Sequence, residues 1–305
     1  MAVIAPRVRA LGRSGVSDRQ LAFLLATPAA VLLAVFVVYP FAMALLNSFA
    51  DVDAASGRRT FIGIDNFVTI ASDPGLRAAF GRTVVWTVSN MALQVCLGVL
   101  VALLLNARLR GQGLARGLVL FPYMVPAIVV ALMFRYMFND VTGLANYVLL
   151  DLGLIDAPLG WLSDPDVIMV TLVLVNVWKY TPFFVIVVLA RLQTISRELY
   201  EAVSIDGGGR WAAFRAVTLP SIMPVLLVAM LLRTIWTAYD FDIPYLLSAG
   251  GGPGGSAVTV PLAIRSLAFE SGSIGQASAL AVCMALLLIA SAWVYLRGFD
   301  ERTRT

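Results

Sequence analysis

Long apolar runs are the feature that most limits what this chain can fold into. A helix needs about 20 residues to cross a hydrocarbon core of roughly 30 Å, and six runs approach or exceed that length. Hydrophobic residues make up 60% of the chain and charged residues only 13%, too little charge to cover a water-soluble domain. The sequence therefore predicts an all-α integral membrane protein with six transmembrane helices. Their predicted ranges are 21–46, 83–106, 118–139, 166–190, 222–247 and 277–296.

The distribution of arginine predicts how these spans are oriented. Fourteen arginines fall in the two terminal segments and in the loops on the same side of the membrane, against five in the loops on the other side. Because basic residues collect in cytoplasmic loops, both termini and the loops 107–117 and 191–221 are expected in the cytoplasm. The segment 140–165 carries four aspartates and no basic residue, which agrees with an external position.

This topology divides the chain into four parts. Apolar residues in the first external loop, among them Phe61 and Phe67, predict a small packed element on the membrane surface. The parts are a cytoplasmic amino-terminal tail (1–20), the first transmembrane helix with its external loop (21–80), the core transmembrane domain (81–297) and a cytoplasmic carboxyl-terminal tail (298–305).

Missing residue types exclude several kinds of chemistry. The chain has no histidine, which removes the usual general base and the usual metal ligand. Lys179 is the only lysine and lies inside an apolar run, so a phosphate-binding loop of the GxxxxGK[ST] type is excluded. The net charge of +4 comes from arginines in short loops, which favours membrane orientation over nucleic-acid binding. No metal, cofactor or catalytic residue is predicted in this chain.

The longest cytoplasmic loop has the pattern of a helix, a sharp turn and a second helix. Residues 197–205 predict a short helix with an ion pair between Arg197 and Glu201. The glycines at 207–209 supply the positive φ that a turn needs, and 211–217 predict a second short helix with an apolar face. A helix lying flat in lipid headgroups would explain the apolar face but not the glycines and the second helix. The pattern predicts a knob projecting from the membrane.

The loop at 196–224 resembles the EAA loop of binding-protein-dependent ABC importer permeases. In that family an EAA triplet is followed by a glycine and then by Leu-Pro; here Val203 replaces the third alanine and Val217 replaces a later isoleucine. The pattern's glycine is placed at Gly208, where we expect positive φ. The resemblance implies that the loop docks in a partner ATPase. The residues implied to form this contact are Glu201, Ala202, Asp206, Gly207, Gly208, Leu219 and Pro220.

Three further stretches resemble the carbohydrate permeases of the maltose type. They are Gly63-Ile64-Asp65-Asn66-Phe67, Phe241-Asp242 followed by Tyr245-Leu246-Leu247 and Gly251-Gly252-Pro253, and Gly275-Gln276-Ala277-Ser278-Ala279. The resemblance covers roughly 20–297. It implies the fold of a type I ABC importer permease in a bacterial cytoplasmic membrane. The implied partners are a second permease subunit in a heterodimer, two cytoplasmic ATPases that bind ATP and Mg, an extracytoplasmic solute-binding protein, a carbohydrate and membrane lipid.

Polar and aromatic residues within the fourth and fifth spans predict a solute site. Arg233, Thr237 and Asp240 have the spacing of one helix face. Polar groups inside spans usually face a cavity or the bundle interior, and a sugar needs hydrogen-bonding groups and an aromatic face. With the resemblance, the predicted site residues are Asn176, Lys179, Tyr180, Phe183, Arg233, Trp236, Thr237 and Asp240. Weaker candidates are Trp86, Asn90, Gln94 and Arg135.

Two alternatives remain open at this point. The charged residues Lys179, Arg233 and Asp240 could instead form ion pairs that only hold helices together. The leading functional hypothesis is a permease, not an enzyme, that moves a sugar or sugar derivative with ATP hydrolysis in partner subunits; the two cations leave an anionic sugar open. A secondary transporter driven by an ion gradient would explain the spans and intramembrane charges, but not the EAA-like loop.

The arginine distribution generates a test of topology. A cysteine placed at Gln112, in a chain whose native Cys96 and Cys283 have been replaced, should resist a membrane-impermeant thiol reagent in intact cells. It should react once the membrane is opened. Labelling from outside would contradict the predicted orientation.

Overall fold

The computed structural model describes residues 17–53, 56–107 and 111–303. Within these ranges, five helices are long and apolar enough to cross a membrane, or up to six if one bent helix pair counts as a single span. This agrees with the predicted helical membrane fold. Part of the predicted tails and of the arginine argument lies outside the described residues, namely Arg7, Arg9, Arg13, Arg108, Arg110 and Arg304.

The first span is one continuous helix that ends in a small extramembrane element. Helix α1 (Asp18–Leu33) passes through a π-helical stretch (Ala34–Val38) into α2 (Tyr39–Asn47). A hairpin follows, in which β1 (Ala50–Val52) pairs antiparallel with β2 (Arg59–Phe61), and helix α3 (Asp65–Ser72) packs beside it.

The side chain of Asn66 holds this extramembrane element together. Its amide donates to the carbonyl oxygens of Ser48 and Ala50, at 3.0 Å each. Because these carbonyls lie at the end of the first span and in β1, the bonds tie α3 to both. The packed element predicted from the apolar residues of this loop is therefore present.

The second span, α4 (Pro74–Asn106), begins earlier than the predicted residue 83. Proline is tolerated in the first turn of a helix, where its missing N–H has no partner in any case. The carboxylate of Asp73 caps the helix by accepting from the backbone N–H of Leu76 at 2.9 Å. These two residues extend the helix beyond its apolar part.

The third predicted span, 118–139, is not a single helix. It consists of α5 (Gln112–Met124) and α6 (Ala127–Met137), which are bent by 96° relative to each other. Pro126 cannot donate a helical hydrogen bond, and it forces the residue before it into extended backbone. Val125 accordingly has φ −72° and ψ 129°. The prediction of one uninterrupted helix was wrong because it counted apolar residues and ignored this proline.

The remaining helices include the most buried span of the structure. Helix α8 confirms the predicted span at 166–190, and it packs against α4, α5 and α11. The bounds are α7 (Leu144–Asp151), α8 (Ile168–Leu192), α9 (Arg197–Ile205), α10 (Arg210–Ala213), α11 (Leu219–Ala238), α12 (Asp242–Leu247), α13 (Val260–Arg265) and α14 (Ile274–Thr303), with π-helical turns at Phe214–Thr218 and Ser266–Glu270 and a 3-10 turn at Pro253–Gly255.

The fifth predicted span, 222–247, is also interrupted. Helix α11 ends at Ala238, and α12 begins only at Asp242. In a continuous helix, the ring of Pro244 would clash with the carbonyl of Asp240, four residues earlier. The expectation that Arg233, Thr237 and Asp240 share one helix face is therefore corrected, because Asp240 lies beyond the helix end.

The contact between α4 and α8 depends on a glycine. A Cβ atom at Gly98 would overlap the Cβ atom of Phe184, which is fully buried. For Gly81, in the same helix, no described residue outside the adjacent helix backbone comes within 4 Å of the position of the missing Cβ. The two glycines therefore form a matched pair for testing the packing of these helices.

We expect Gly98→Ala to destabilise the protein by about 1–3 kcal/mol, because it overpacks the α4–α8 contact. Gly81→Ala should instead stabilise it by about 0.5–1 kcal/mol, since alanine favours the helix and meets nothing there. Thermal unfolding of the purified protein in detergent measures both. Equal midpoints for the two variants would refute the close contact.

Candidate solute site and coupling loop

Three spans meet at a buried polar cluster. Gln94 on α4, Asn176 on α8 and Arg233 on α11 are each at least 96% buried. The guanidinium of Arg233 donates through Nε to Oε1 of Gln94 at 3.1 Å and through Nη2 to Oδ1 of Asn176 at 3.4 Å. The side chain of Gln94 donates to the same Oδ1 at 3.0 Å. The three residues thus form a closed hydrogen-bonded triangle.

The triangle extends to the carboxylate of Asp240. Nδ2 of Asn176 donates to Oδ2 of Asp240 at 2.6 Å. Within the described part of the chain, no ion pair within 4.0 Å involves Lys179, Arg233 or Asp240. Asn176 therefore connects the opposite charges of Arg233 and Asp240 without direct contact between them.

Lys179 is held by the broken third span. Lys179 is buried, and its ammonium donates to the backbone carbonyl of Val125, the residue between α5 and α6. Because Val125 is extended, its carbonyl lies outside both helices and needs another donor. The ammonium of Lys179 therefore supplies the donor that the carbonyl at the helix break requires, and the carbonyl supplies an acceptor for the buried ammonium.

Aromatic rings line one side of the cluster. The guanidinium of Arg233 lies 3.7 Å from the ring centre of Tyr180, a cation–π distance. Tyr123 contacts Tyr180 edge-on at 6.0 Å, and Phe183 contacts Trp236 at 5.7 Å. Tyr180 and Phe183 are half-buried, while Trp236 is 48% exposed.

Thr237 lies on the buried side of the cluster. Its backbone carbonyl accepts from the indole N–H of Trp86 at 2.9 Å. Its hydroxyl is buried without a hydrogen-bond partner in the described structure. Trp86 itself is fully buried, so this bond ties α4 to the end of α11.

The predicted site residues separate into two groups. Asn176, Lys179, Arg233 and Thr237 are buried between helices. Tyr180, Phe183 and Asp240 are half-buried and Trp236 is exposed, and these four residues are called the accessible surface below. Of the weaker candidates, Trp86, Asn90 and Gln94 join the buried group, while Arg135 is exposed at the end of α6.

Sequence reasoning missed Tyr123 and the carbonyl of Val125. Both lie at the break in the third span, and Val125 belongs to it only because Pro126 ends the helix. The spacing of Pro122 and Pro126 within an apolar run was the available signal.

At one end of the bundle, the EAA-like loop contains the predicted first helix. Helix α9 covers the predicted residues, and Arg197 pairs with Glu201 at 4.0 Å across two exposed side chains. Ser196 caps it by accepting from the N–H of Glu198. Exposed ion pairs stabilise little, so we assign this one no large role in folding.

The turn after α9 needs two glycines for different reasons. Gly207 has φ +78°, the left-handed conformation that favours glycine. The expectation of positive φ at Gly208 was wrong. Gly208 is required by close approach, because a Cβ there would lie 2.6 Å from Cγ1 and 2.9 Å from the carbonyl oxygen of Val203.

The second helix of the loop is not a separate element, contrary to the prediction. Helix α10 continues through the π-helical turn Phe214–Thr218 into α11. This turn directly precedes Pro220, whose missing N–H removes one helical hydrogen bond, and a π-helical turn is a common local adjustment. Trp211 stacks on Phe214 at 5.4 Å and is 68% exposed, so the apolar face remains accessible.

A bundle of apolar spans with a central polar cluster and an exposed helical loop is the architecture of a membrane transport permease. The chain matches the family "Binding-protein-dependent transport system inner membrane component" over residues 94–305, and it belongs to that family. This confirms the resemblance to ABC importer permeases.

Relatives and a solved structure agree with this assignment. The chain is 34% identical over 280 residues to the trehalose/maltose transport system permease protein MalF of Thermococcus litoralis, covering 92% of this chain and 94% of the relative. It is 36% identical over 281 residues to the sulfoquinovosyl glycerol transport system permease protein SmoG of Agrobacterium fabrum, covering 92% and 90%. A bacterial ABC transporter that imports the acidic polysaccharide alginate has the same fold, with a TM-score of 0.78, 22% identity and coverage of 92% and 95%.

The close contact at Gly208 generates a prediction about the loop. Gly208→Ala should push the turn away from Val203 and speed amide hydrogen exchange across α9, because the clash involves a backbone oxygen. Gly209→Ala is the matched control, since a Cβ there meets no atom within 4 Å. Hydrogen exchange read by mass spectrometry compares the two. Unchanged exchange in the Gly208 variant would contradict the contact.

Proposed function

We propose that this permease carries a sugar or sugar derivative across the cytoplasmic membrane, and that the solute meets the accessible surface of Tyr180, Phe183, Trp236 and Asp240. The observation that carries the proposal is that Asp240 and the ring of Tyr180 are linked through the buried cluster. Asn176 bonds to Asp240 and to Arg233, and the guanidinium of Arg233 lies over the ring of Tyr180. Two relatives above 30% identity are named for sugar or sugar-glycoside transport, which supports the same class of solute.

The chemistry of the surface suits a sugar. A carboxylate accepts hydrogen bonds from hydroxyl groups, and an aromatic ring packs against the C–H face of a pyranose. Asp240 is half-buried, so water competes less for its oxygens than at an open surface. Lys179 and Arg233 are already engaged by neutral acceptors within the protein, so the solute need not be anionic.

The proposed assembly follows from the family. It contains a second permease in a heterodimer, two cytoplasmic ATPases that bind ATP and Mg, and an extracytoplasmic solute-binding protein. Both termini lie in the cytoplasm. The EAA-like loop docks in one of the two ATPases; its exposed Glu201, Ala202 and Asp206 support this role. Leu219 and Pro220, the first residues of α11, position the loop relative to the span.

The ion-gradient alternative is disfavoured. Membership of a binding-protein-dependent transport family favours import driven by ATP. Co-purification separates the two mechanisms directly: the tagged permease should retain an ATPase subunit in mild detergent. Uptake of radiolabelled maltose, trehalose and sulfoquinovosyl glycerol by the reconstituted complex with its binding protein then tests the class of solute. Isolation without any ATPase would refute the proposed assembly.

The proposed contacts rank the effects of two substitutions. Asp240→Asn should lower uptake roughly 10- to 100-fold, because it removes a charged acceptor worth about 1.5–3 kcal/mol. Thr237→Val should leave uptake within about twofold of the original value, since its hydroxyl is buried and has no hydrogen-bond partner to lose in the described structure. Abundance in the membrane is measured in parallel. A larger loss for Thr237→Val would contradict the role given to Asp240.

A further inference from the structure

We propose that Gln94 is a positioning residue of the solute site, which acts on Asp240 and Tyr180 without touching the solute. This proposal rests on the proposed function. Gln94 lies on α4, whereas the accessible surface belongs to α8 and to the end of α11. Its side chain is fully buried, so any effect on the solute must pass through its neighbours.

The first link fixes the orientation of the Asn176 amide. Nε2 of Gln94 and Nη2 of Arg233 both donate to Oδ1 of Asn176. With two donors at its oxygen, the amide must turn its nitrogen the other way, toward Asp240. That nitrogen donates to Oδ2 of Asp240 at 2.6 Å. Gln94 therefore helps to decide which end of Asn176 faces the carboxylate.

The second link fixes the guanidinium of Arg233. Oε1 of Gln94 accepts from Nε of Arg233 at 3.1 Å, and the guanidinium lies over the ring of Tyr180 at 3.7 Å. Because a guanidinium is planar, holding its Nε also holds the plane that contacts the ring. The same glutamine thus supports both the carboxylate and an aromatic ring of the accessible surface.

The side chain of Gln94 is itself oriented by hydrogen bonds to residues of its own helix, α4. Nε2 also donates to Oδ1 of Asn90 at 3.2 Å, and Nδ2 of Asn90 donates to the carbonyl of Trp86 at 2.8 Å. Both side chains are fully buried. This backing sets the orientation of the Gln94 amide, with its oxygen toward Arg233.

The arrangement keeps the carboxylate of Asp240 available. Among the described residues, Arg233 makes no ion pair with Asp240 within 4.0 Å, because its donors are turned to Gln94 and Asn176. Without Gln94, Nε of Arg233 would lose its acceptor in a buried environment, which is unfavourable. The guanidinium would then reorient toward another acceptor, and Asp240 is the nearby anion.

The first experiment needs no solute. Thermal unfolding of the purified complex is compared for Gln94→Met, Asp240→Asn and the double variant. If Gln94 and Asp240 are linked through Asn176, the unfolding midpoint of the double variant should fall clearly less than the sum of the decreases in the two single variants. Additive shifts would overturn the proposal, since independent sites add.

The second experiment separates positioning from simple helix packing. The ratio of maltose uptake to trehalose uptake is measured with the cognate binding protein. Gln94→Met should change this ratio about two- to tenfold, in the same direction as Asp240→Asn, and the double variant should change it no further. A packing role alone would lower both uptake rates by one factor and leave the ratio unchanged, which would overturn the proposal.

Thr181→Val is the matched control on α8. Among the residues that the structure describes, the hydroxyl of Thr181 bonds only to the carbonyl of Val177 in its own helix, at 2.7 Å, so the ratio should stay at its original value. Failure of the unmodified complex to take up either sugar would count against the proposed solutes. The thermal experiment would still decide whether Gln94 is linked to Asp240.

Discussion

The absence of water from the hydrocarbon core is the constraint on which this structure depends. Polar groups within a span favour partners inside the protein, because an unpaired one costs several kcal/mol; the hydroxyl of Thr237 is an exception in the described structure. Arg233 shows the consequence most clearly. Its guanidinium is buried and finds its acceptors on two other spans, at Gln94 and Asn176. The packing of α4, α8 and α11 is therefore specified by hydrogen bonds as well as by apolar contacts.

The same constraint explains why the third span can be broken. Irregular backbone at membrane depth persists only where its freed groups are satisfied within the protein or by water. The carbonyl of Val125 is freed by Pro126 and accepts from the buried ammonium of Lys179. Lys179, which the sequence predicted as a solute ligand, thus has a partner within the protein. The break in the third span also places Tyr123 against Tyr180.

One continuous helical segment connects the EAA-like loop to the polar cluster. From Arg210 to Ala238 the chain is helical without a gap, and Arg233 lies near the far end of that helix. Gly208 packs tightly against Val203, so α9 is held firmly at the near end. Because a helix transmits displacement along its axis, movement of the loop would displace Arg233 and the residues that it positions. The prediction of a separate second helix had missed this continuity.

Local chemistry made much of the molecule predictable. The apolar runs predicted the approximate place of the spans, since their length and composition directly reflect the lipid environment. Their predicted number, six, is reached in the described residues if the bent pair α5–α6 counts as one span. Helix α9 was predicted from the i,i+4 spacing of Arg197 and Glu201 and from the glycines that follow, because such features act within a few residues. The predicted helices are interrupted near Pro126 and Pro244, where apolar content carries no information about backbone geometry, although the predicted residues 222–247 lie within a candidate span.

The sequence by itself determined that this chain is a helical membrane permease of a binding-protein-dependent importer, because spans and the EAA-like loop are encoded by contiguous residues. It also placed the polar and aromatic residues of the fourth and fifth spans. Only the tertiary structure decided which of them are buried and which are accessible. Gln94 and Asn176 are separated by 82 positions, and no local pattern records that their amides meet. Their contact exists because α4 packs against α8, and the burial that follows assigns Asn176 to support and Asp240 to the accessible surface.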